Sequence, residues 1–247
     1  MISSRFLPAS FLTAALFLFS CNGNDKSTSN DTTASDSTST TTATTEPVAA
    51  STIVTTPQSM LVVTHKVNNF AKWKTSYEGH DSMRLVNGLH NYVIGRGLQD
   101  SNMVLVAVKA DDMAKAKAFA KDPSLKAAMQ KGGVTGTPTI EFVTMTFQDT
   151  AIISSPLRSR TTFAVKDWDA WQKAFEEGKQ ERTDNGIMVR AFGHAADDNK
   201  KVILVTALMD TAKAFAYYKS DLLKKRREAS GVIGEPKRFL YRMVQRY

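Results

Sequence analysis

The sequence repeats itself at a fixed spacing of 98 residues, and this repeat restricts the possible folds more than any other feature. Trp73 and Trp171 lie 98 residues apart, and so do Arg84 and Arg182. The register continues without a gap as far as "VTGTP" from residue 134 and "VIGEP" from residue 232. Self-similarity at one spacing indicates a duplicated structural unit, and each copy has the size of a small domain. We therefore predict two tandem repeats, at residues 59–150 and 157–247.

Each repeat has the pattern strand, helix, strand, strand, helix, strand. In the first copy "MLVVTHKV" predicts a strand, and the periodicity from Phe70 to Val86 predicts a helix that Asn87-Gly88 ends. "HNYVIGRG" and "NMVLVAVK" predict a hairpin, and residues 111–131 predict one helix or a pair of helices broken at Pro123. A last strand begins at Pro138. This order is typical of the ferredoxin-like α+β unit.

Some of the predicted strands are apolar on both faces. "MVLVAV" and "KVILVTAL" carry apolar residues at odd and even positions alike. A sheet with one wet face should alternate, so we expect both faces of each sheet to be buried. Helices would cover one face, and the sheet of the other repeat would cover the second.

The first 58 residues differ in composition from the rest. Residues 1–21 include Arg5, continue as the apolar run "FLTAALFLFS" and end at Cys21, the only cysteine. The run is short for a membrane span and is typical of a secretory signal. "LFSC" resembles the lipobox of bacterial lipoproteins, which predicts lipidation of Cys21; the alternative is an ordinary signal with an incidental cysteine. Residues 22–58 are rich in Ser and Thr and predict a disordered tether.

The predicted cellular location of the protein limits its possible partners. Asn22 after the cysteine resembles lipoproteins sorted to the outer membrane, so we expect an exported protein whose lipid anchor holds it at the periplasmic or surface face. The net charge of +8 and "KKRR" at 224–227 would suit nucleic acid, but export argues against that partner. We interpret the cluster as a solvated helix face with an attraction to anionic lipid.

The first repeat resembles a known superfamily. The segments "HKVNNFAKWKTSYEGHDSMRLVNGL", "DSNMVLVAV", "DDMAKAKAFAKDPSLKAAM" and "GVTGTP" resemble the dimeric α/β-barrel superfamily, which includes the antibiotic biosynthesis monooxygenases, and above all its small cyclase-like proteins. The resemblance covers Met60 to Gln148 and, more loosely, Arg158 to Tyr247. It implies two ferredoxin-like units paired sheet to sheet, here as a pseudo-dimeric barrel in one monomeric chain, with further dimerisation left open. It implies no single reaction, because members include cofactor-free oxygenases, haem-degrading enzymes, isomerases and non-enzymes.

The stretch from residue 72 to 84 contains the candidate site. Trp73, Tyr77, His80 and Arg84 follow one another at helical spacing, which places them on one helix face. We interpret the two aromatic residues as core beside a ligand pocket. The polar residues His80 and Arg84 match the cyclase-like pattern, as does His65 on the first strand, and we expect all three in a cavity between helix and sheet.

The second copy of this stretch lacks both histidines. Phe163 replaces His65 and Gly178 replaces His80, whereas the arginine is kept as Arg182. This asymmetry predicts one working pocket, in the first repeat, with the arginine as a structural or anion-binding element of both repeats. The alternative for the helix residues is the solvated rim, where cations suit the helix dipole.

A second set of polar residues lies on the predicted strands. Arg190 and His194 share one parity of a strand, as do Arg238 and Arg242, and Tyr92 and Arg96 occupy the matching positions of the first repeat. Inward cations of this kind bind carboxylates or phosphates. The alternative is a set of edge charges that discourage association between sheets.

No residue spacing indicates a cofactor. Four histidines and one cysteine show no spacing typical of a metal site, and the sequence has no Walker or Rossmann glycine pattern. A haem would need an axial ligand, and His65, His80, His90 and His194 are equal candidates. We therefore predict neither a metal nor another cofactor.

Three functions are compatible with these observations. The first is a lipid-anchored protein that binds a small, partly apolar ligand in the first repeat. The cations of that repeat would also allow the ligand to be anionic. The second is an enzyme related to the cofactor-free monooxygenases or cyclases, with His80 or His65 as base, Arg84 stabilising negative charge and Tyr92 orienting the substrate. The third is a structural role in the cell envelope. We favour binding, because the sequence shows no evident acid-base pair.

Overall fold

The computed structural model describes residues 51–247. The predicted signal at 1–21, the lipidation of Cys21 and the predicted tether up to residue 50 lie outside the described residues. None of the helices in the described part is long and apolar enough to cross a membrane.

The elements follow the predicted order, with one additional strand at the start. They are β1 (Ile53–Val54), β2 (Gln58–Val67), α1 (Phe70–Gly79), α2 (Asp81–Val86), β3 (Leu89–Gly97), β4 (Met103–Ala110), α3 (Met113–Phe119), α4 (Pro123–Lys131) and β5 (Val134–Asp149). The second repeat has the same series as β6 (Leu157–Val165), α5 (Trp168–Glu177), α6 (Lys179–Asp184), β7 (Ile187–Ala195), β8 (Asp198–Leu208), α7 (Thr211–Tyr218), α8 (Asp221–Ala229) and β9 (Val232–Arg246). Each series from β2 or β6 onward is a ferredoxin-like βαββαβ unit.

The two repeats form a closed barrel. The strand order is β5-β2-β4-β3 in the first repeat and β9-β6-β8-β7 in the second, and neighbouring strands are antiparallel. At one seam β3 pairs with β9, and at the other β5 pairs with β7. Closure therefore pairs both edges of each four-stranded sheet with the other repeat. The predicted fold, two tandem ferredoxin-like repeats in one pseudo-dimeric barrel, is confirmed.

Both faces of the sheets are buried, as their apolar sequence predicts. Met60 and Val62 point into the barrel, where they join a cluster to which both repeats contribute. Leu61 and Val63, at the alternate positions of β2, belong to a second cluster beneath the helices of the first repeat. Two further clusters lie beneath the helices of the second repeat. The helix-covered faces are therefore the places where a pocket between helix and sheet can form.

β1 corrects the predicted end of the tether. Ile53 and Val54 pair with Asp149 and Gln148 at the end of β5, and β2 begins at Gln58. The Gln148 side chain also donates a hydrogen bond of 2.6 Å to the Gln58 side chain. The prediction of disorder up to residue 58 was wrong for its last residues, because β5 extends past the start of β2 and offers unpaired backbone groups there.

The helix predicted from Phe70 to Val86 is broken at His80. This residue has φ −104° and ψ 20° and separates α1 from α2. Its backbone N–H bonds to the carbonyl of Tyr77, three residues earlier, which is a tighter turn than in an α-helix. Gly178 makes the same break between α5 and α6. The alternative of two helices broken at Pro123 is correct, with this proline at the first position of α4.

A β-bulge at the same position of each repeat changes the direction of two predicted site residues. The register shifts after Asn91 in β3 and after Val189 in β7. The next residues, Tyr92 and Arg190, line the inside of the barrel. The prediction that Arg190 and His194 share a strand face was wrong, because a bulge shifts the alternation of side chains by one residue.

Candidate functional site

The first repeat encloses a small cavity between its sheet and its helices, which we call the first cavity. Its volume is about 80 Å³. Most of its wall is apolar and includes Leu61, Val63, Leu89, Val106, Val108, Phe119, Leu125 and Met129. Five predicted site residues, His65, Trp73, Tyr77, His80 and Arg84, also line it. The structure thus places the strand histidine and the helix stripe at one cavity.

His65 is a buried histidine with an unpaired ring. It is 5% exposed, and neither ring nitrogen has a hydrogen-bond partner among residues 51–247. The imidazole lies against the Trp73 indole, with 5.4 Å between the ring centroids. Burial lowers the pKa of His65 from 6.5 to about 4, because a charged ring would lose its hydration. At neutral pH the ring is therefore uncharged and offers one N–H donor and one acceptor.

Arg84 is held by neighbouring side chains at the wall of the first cavity. Its guanidinium carbon lies 3.7 Å from the centroid of the Tyr77 ring. Its Nε donates to Asn91 Oδ1 at 3.0 Å, and its Nη2 pairs with Asp81 Oδ1 at 3.1 Å. The Tyr77 hydroxyl donates to the same Asn91 oxygen at 2.5 Å, and burial raises the pKa of this tyrosine. These contacts hold the guanidinium in place through Nε and Nη2, and the Asp81 carboxylate balances its charge.

His80 borders the first cavity at the break between α1 and α2. Its Nδ1 lies 2.6 Å from the carbonyl oxygen of Ser76. Since a carbonyl oxygen can only accept, Nδ1 carries the proton, and Nε2 is the acceptor nitrogen of the neutral ring. His80 therefore resembles His65 in offering an acceptor, but its ring is already oriented by a hydrogen bond.

The second repeat has a cavity at the same place, which we call the second cavity. Its volume is about 100 Å³. It is lined by Phe163, Trp171, Phe175, Gly178 and Arg182, which match His65, Trp73, Tyr77, His80 and Arg84 of the first repeat. The sequence asymmetry predicts one working pocket, in the first repeat, and the structure has a cavity in each repeat. The chemistry of the two differs, because the second cavity has aromatic carbon where the first has an imidazole.

Three further arginines line the second cavity: Arg226, Arg227 and Arg238. The first two belong to the "KKRR" cluster, which sequence reasoning treats as a solvated helix face. That interpretation fits Lys224, Lys225 and Arg226, which are exposed, although Arg226 lies at the mouth of the cavity. It is wrong for Arg227, which is half-buried and lines the cavity together with Leu223, four residues earlier on the same face of α8.

Comparisons with known proteins identify the fold. No protein-family model matches the sequence, and no curated protein matches it either. Among solved structures, a provisionally assigned monooxygenase from Fusobacterium nucleatum is similar with a TM-score of 0.52 and 11% identity, over 76% of this chain and 93% of that chain. The chain has the fold of a dimeric α/β barrel, with both halves of the barrel in one chain.

Two further structures are similar at a lower score. A provisionally assigned monooxygenase from Lactobacillus acidophilus has a TM-score of 0.49 and 11% identity, over 75% of this chain and 94% of that chain. An anthrone oxidase-like protein has a TM-score of 0.49 and 16% identity, over 78% and 94% of the two chains.

The interior of the dimeric α/β barrel contains Tyr92 and Arg190. They line a cavity of about 90 Å³ between the two sheets. Arg190 Nη1 lies 2.5 Å from Asp149 Oδ2, and Nη2 donates to the carbonyl of Ala151. The charge of Arg190 is thus balanced by a carboxylate of the barrel itself.

Arg96 and His194 lie on the helix-covered faces of the barrel, each against an aromatic ring. The guanidinium carbon of Arg96 is 4.3 Å from the Phe70 centroid, and its Nε donates to the Ser101 carbonyl at 2.7 Å. The His194 ring packs edge-on against Trp168, with 4.9 Å between centroids. The set of strand residues that the sequence suggests is therefore divided between the two faces of the sheets.

The side chains give little support for a metal or a haem. In the part of the chain from 51 to 247, no group of three His, Cys, Asp or Glu side chains could hold a metal ion. The first cavity, at about 80 Å³, has the size for a small molecule beside His65 and is far smaller than a porphyrin needs. A haem does not fit there.

Proposed function

We propose that the protein is a lipid-anchored binding protein of the bacterial cell envelope, which holds a small, mostly apolar molecule in the first cavity. The main support for a binding site is the unpaired imidazole of His65 at the wall of an apolar cavity. A buried polar group without a partner costs about 1–3 kcal/mol of stability. A ligand that supplies the missing hydrogen bond would recover part of that energy, and its apolar body would fill the space between helix and sheet.

The first cavity favours a neutral ligand. Arg84 is its one guanidinium among the described lining residues, and the Asp81 carboxylate already balances its charge. His65 is uncharged at neutral pH because burial lowers its pKa to about 4. A phenol or a ketone matches this chemistry, since either presents one hydrogen-bonding group on an apolar frame.

An enzyme related to the cofactor-free monooxygenases is the second candidate. It is favoured by the neutral, water-poor environment of His65 beside Trp73, in which an imidazole can accept a proton from a bound phenol. It is disfavoured because proton transfer would leave a charged imidazolium in a buried site, and no carboxylate of the described chain lines the cavity to stabilise that charge. Binding therefore fits the site better than proton abstraction.

A comparison of phenol with toluene tests the role of His65. We expect phenol to bind more tightly than toluene by ligand-observed NMR, and His65→Phe, which installs the second repeat's residue, to weaken phenol about 3–10-fold, the value of one neutral hydrogen bond. Toluene binding should not change. Equal affinities of phenol for the two proteins would exclude His65 as a ligand contact. Oxygen consumption with a phenol, abolished by His65→Phe, would favour the enzyme instead.

The anchor and the assembly state are part of the same proposal. The motif at Cys21 supports lipidation, and Asn22 supports sorting to the outer membrane. Labelling of the full chain with an alkynyl fatty acid, lost in Cys21→Ser, tests the anchor. Pairing of both sheet edges within one chain supports a monomer, which light scattering of the purified protein tests.

A further inference from the structure

The two cavities occupy matching positions, but the second has more cationic side chains than the first. The three arginines that distinguish the second cavity, Arg226, Arg227 and Arg238, stand where the first repeat has Ala128, Met129 and Ile140. Hydroxyl groups are added in the same way, with Thr161 and Thr206 at the positions of Val63 and Val108. The second cavity therefore has cations and hydroxyl groups at positions where the first cavity has apolar side chains.

Arg182 has lost the partners that its counterpart keeps. In the second repeat Val189 replaces Asn91, and Lys179 replaces Asp81. Arg182 is 9% exposed and keeps its stack on Phe175 at 3.7 Å and one bond from Nη1 to the Phe175 carbonyl at 2.6 Å. Its Nε is buried with no partner in the described chain. A buried guanidinium in this state is stabilised by an anion.

The other cations of the second cavity are only partly compensated. Glu181 pairs with Arg226, at 3.1 Å from its Nε, and also accepts from the Tyr217 hydroxyl. Arg238 stacks on Tyr218 at 3.5 Å, and its buried Nε lacks a partner among residues 51–247. Arg227 has Glu235 in its neighbourhood, yet the described residues form no ion pair with it within 4.0 Å. Burial lowers the pKa of Arg227 and of Arg238, because a charged guanidinium loses hydration there, and the nearby charge of Arg227 lowers the pKa of Arg238 further.

We infer that the second cavity binds an apolar molecule carrying one anionic group, with Arg227 and Arg238 at the anion and Phe163, Trp171 and Phe175 around the apolar part. The guanidinium groups suit a carboxylate or a phosphate monoester, since both accept paired N–H donors. The volume of about 100 Å³ suits a short alkyl chain or one small aromatic ring. This site is separate from the first cavity and does not depend on the function proposed for it.

Hexanoate, hexyl phosphate and hexanol are suitable probes, because they share one chain and differ in the head group. With the purified protein, calorimetric titration should show one site that binds an anionic probe at least tenfold more tightly than hexanol, as expected for charged hydrogen bonds. The preferred anion distinguishes a carboxylic acid from a phosphate monoester. The double variant Arg227→Met/Arg238→Ile, which installs the residues of the first repeat, should weaken the anion about tenfold or more and leave hexanol unchanged.

The control variant is Lys224→Met/Lys225→Met, which removes two exposed cations from the same helix. It should bind the anions like the natural protein, and an equal loss in both double variants would show that only the net charge acts. His65→Phe should also leave this binding unchanged. The inference is overturned if hexanol binds as tightly as the anions, or if Arg227→Met/Arg238→Ile retains full affinity. Because a double substitution can disturb folding, the single variant Arg226→Met, at an exposed residue of the cavity mouth, provides an independent test and should weaken the anions several-fold.

Discussion

His65 and Phe163 occupy the same position of the two repeats and pack against equivalent tryptophans. The His65 ring lies 5.4 Å from Trp73, and the Phe163 ring lies 5.6 Å from Trp171, at interplanar angles of 54° and 60°. The pocket therefore accepts either ring without a change in geometry. A phenylalanine ring packs equally well at this position. The imidazole of the first repeat therefore adds two buried polar atoms that lower the stability of the folded protein.

Replacing His65 with Phe should stabilise the protein. The substitution removes two buried ring nitrogens that lack partners, and we expect the free energy of unfolding at pH 7 to rise by about 1–3 kcal/mol. Urea denaturation of the two proteins measures the difference. The reciprocal variant Phe163→His is the matched control and should lower the free energy of unfolding by a similar amount. A loss of stability in His65→Phe would mean that the imidazole has a partner in solution.

The same histidine should make stability depend on pH. The pKa of His65 is about 4 in the folded protein and 6.5 in an unfolded chain, so between these values the unfolded state binds a proton that the folded state does not. The stability from this group is complete above pH 6.5, falls as the pH decreases toward 4, and is lost below that value. The total loss is about 3 kcal/mol. Urea titrations of the natural protein and of His65→Phe at several pH values isolate it, because other groups cancel in the difference; parallel curves would contradict the prediction.

Arg84 should matter more for stability than Arg182. Arg84→Met removes the bonds to Asn91 and Asp81 and the stack on Tyr77, and we expect a loss of about 1–3 kcal/mol. Arg182→Met removes a buried guanidinium with fewer partners, so its cost should be smaller. Thermal unfolding of the two variants compares them directly. A larger loss in Arg182→Met would indicate that this cation has a partner beyond the described contacts.

The fold could be predicted because the features that indicate it are local patterns in the sequence. The repeat relates Trp73 to Trp171, and the apolar strands show that both sheet faces are covered. The bulges could not be predicted, since Arg190, the extra residue of its bulge, leaves no mark in the alternation of the sequence. The direction of that arginine depends on pairing with strands that are distant in sequence.

The candidate site was only partly visible for a related reason. The helix stripe from Trp73 to Arg84 has a regular spacing, so its members could be placed beside one cavity. The second cavity depends on Arg227 from α8 and Arg238 from β9, which come together only when helix and strand pack. A cluster of basic residues is usually solvated, and sequence alone cannot show that Arg227 of this cluster lines a cavity.

The two seams of the barrel should differ in their tolerance of a methyl group. Gly95 on β3 pairs with Met243, and Gly193 on β7 pairs with Met145, so these glycines are equivalent positions of the two repeats. A Cβ atom at Gly193 would lie 2.0 Å from the Thr144 carbonyl oxygen, which belongs to the backbone of β5. At Gly95 it would lie 2.2 Å from the Tyr241 ring, a side chain that can shift.

Gly193→Ala should therefore cost about 3 kcal/mol or more, and Gly95→Ala about 1–3 kcal/mol, because a backbone cannot yield without breaking strand pairing. Urea denaturation gives the two losses. Hydrogen exchange should show faster exchange of β5 and β7 amides in Gly193→Ala, while the β2 and β4 amides of the first repeat remain protected. Equal losses in the two variants, or unchanged exchange along β5, would show that the seam between β5 and β7 is looser than its geometry indicates.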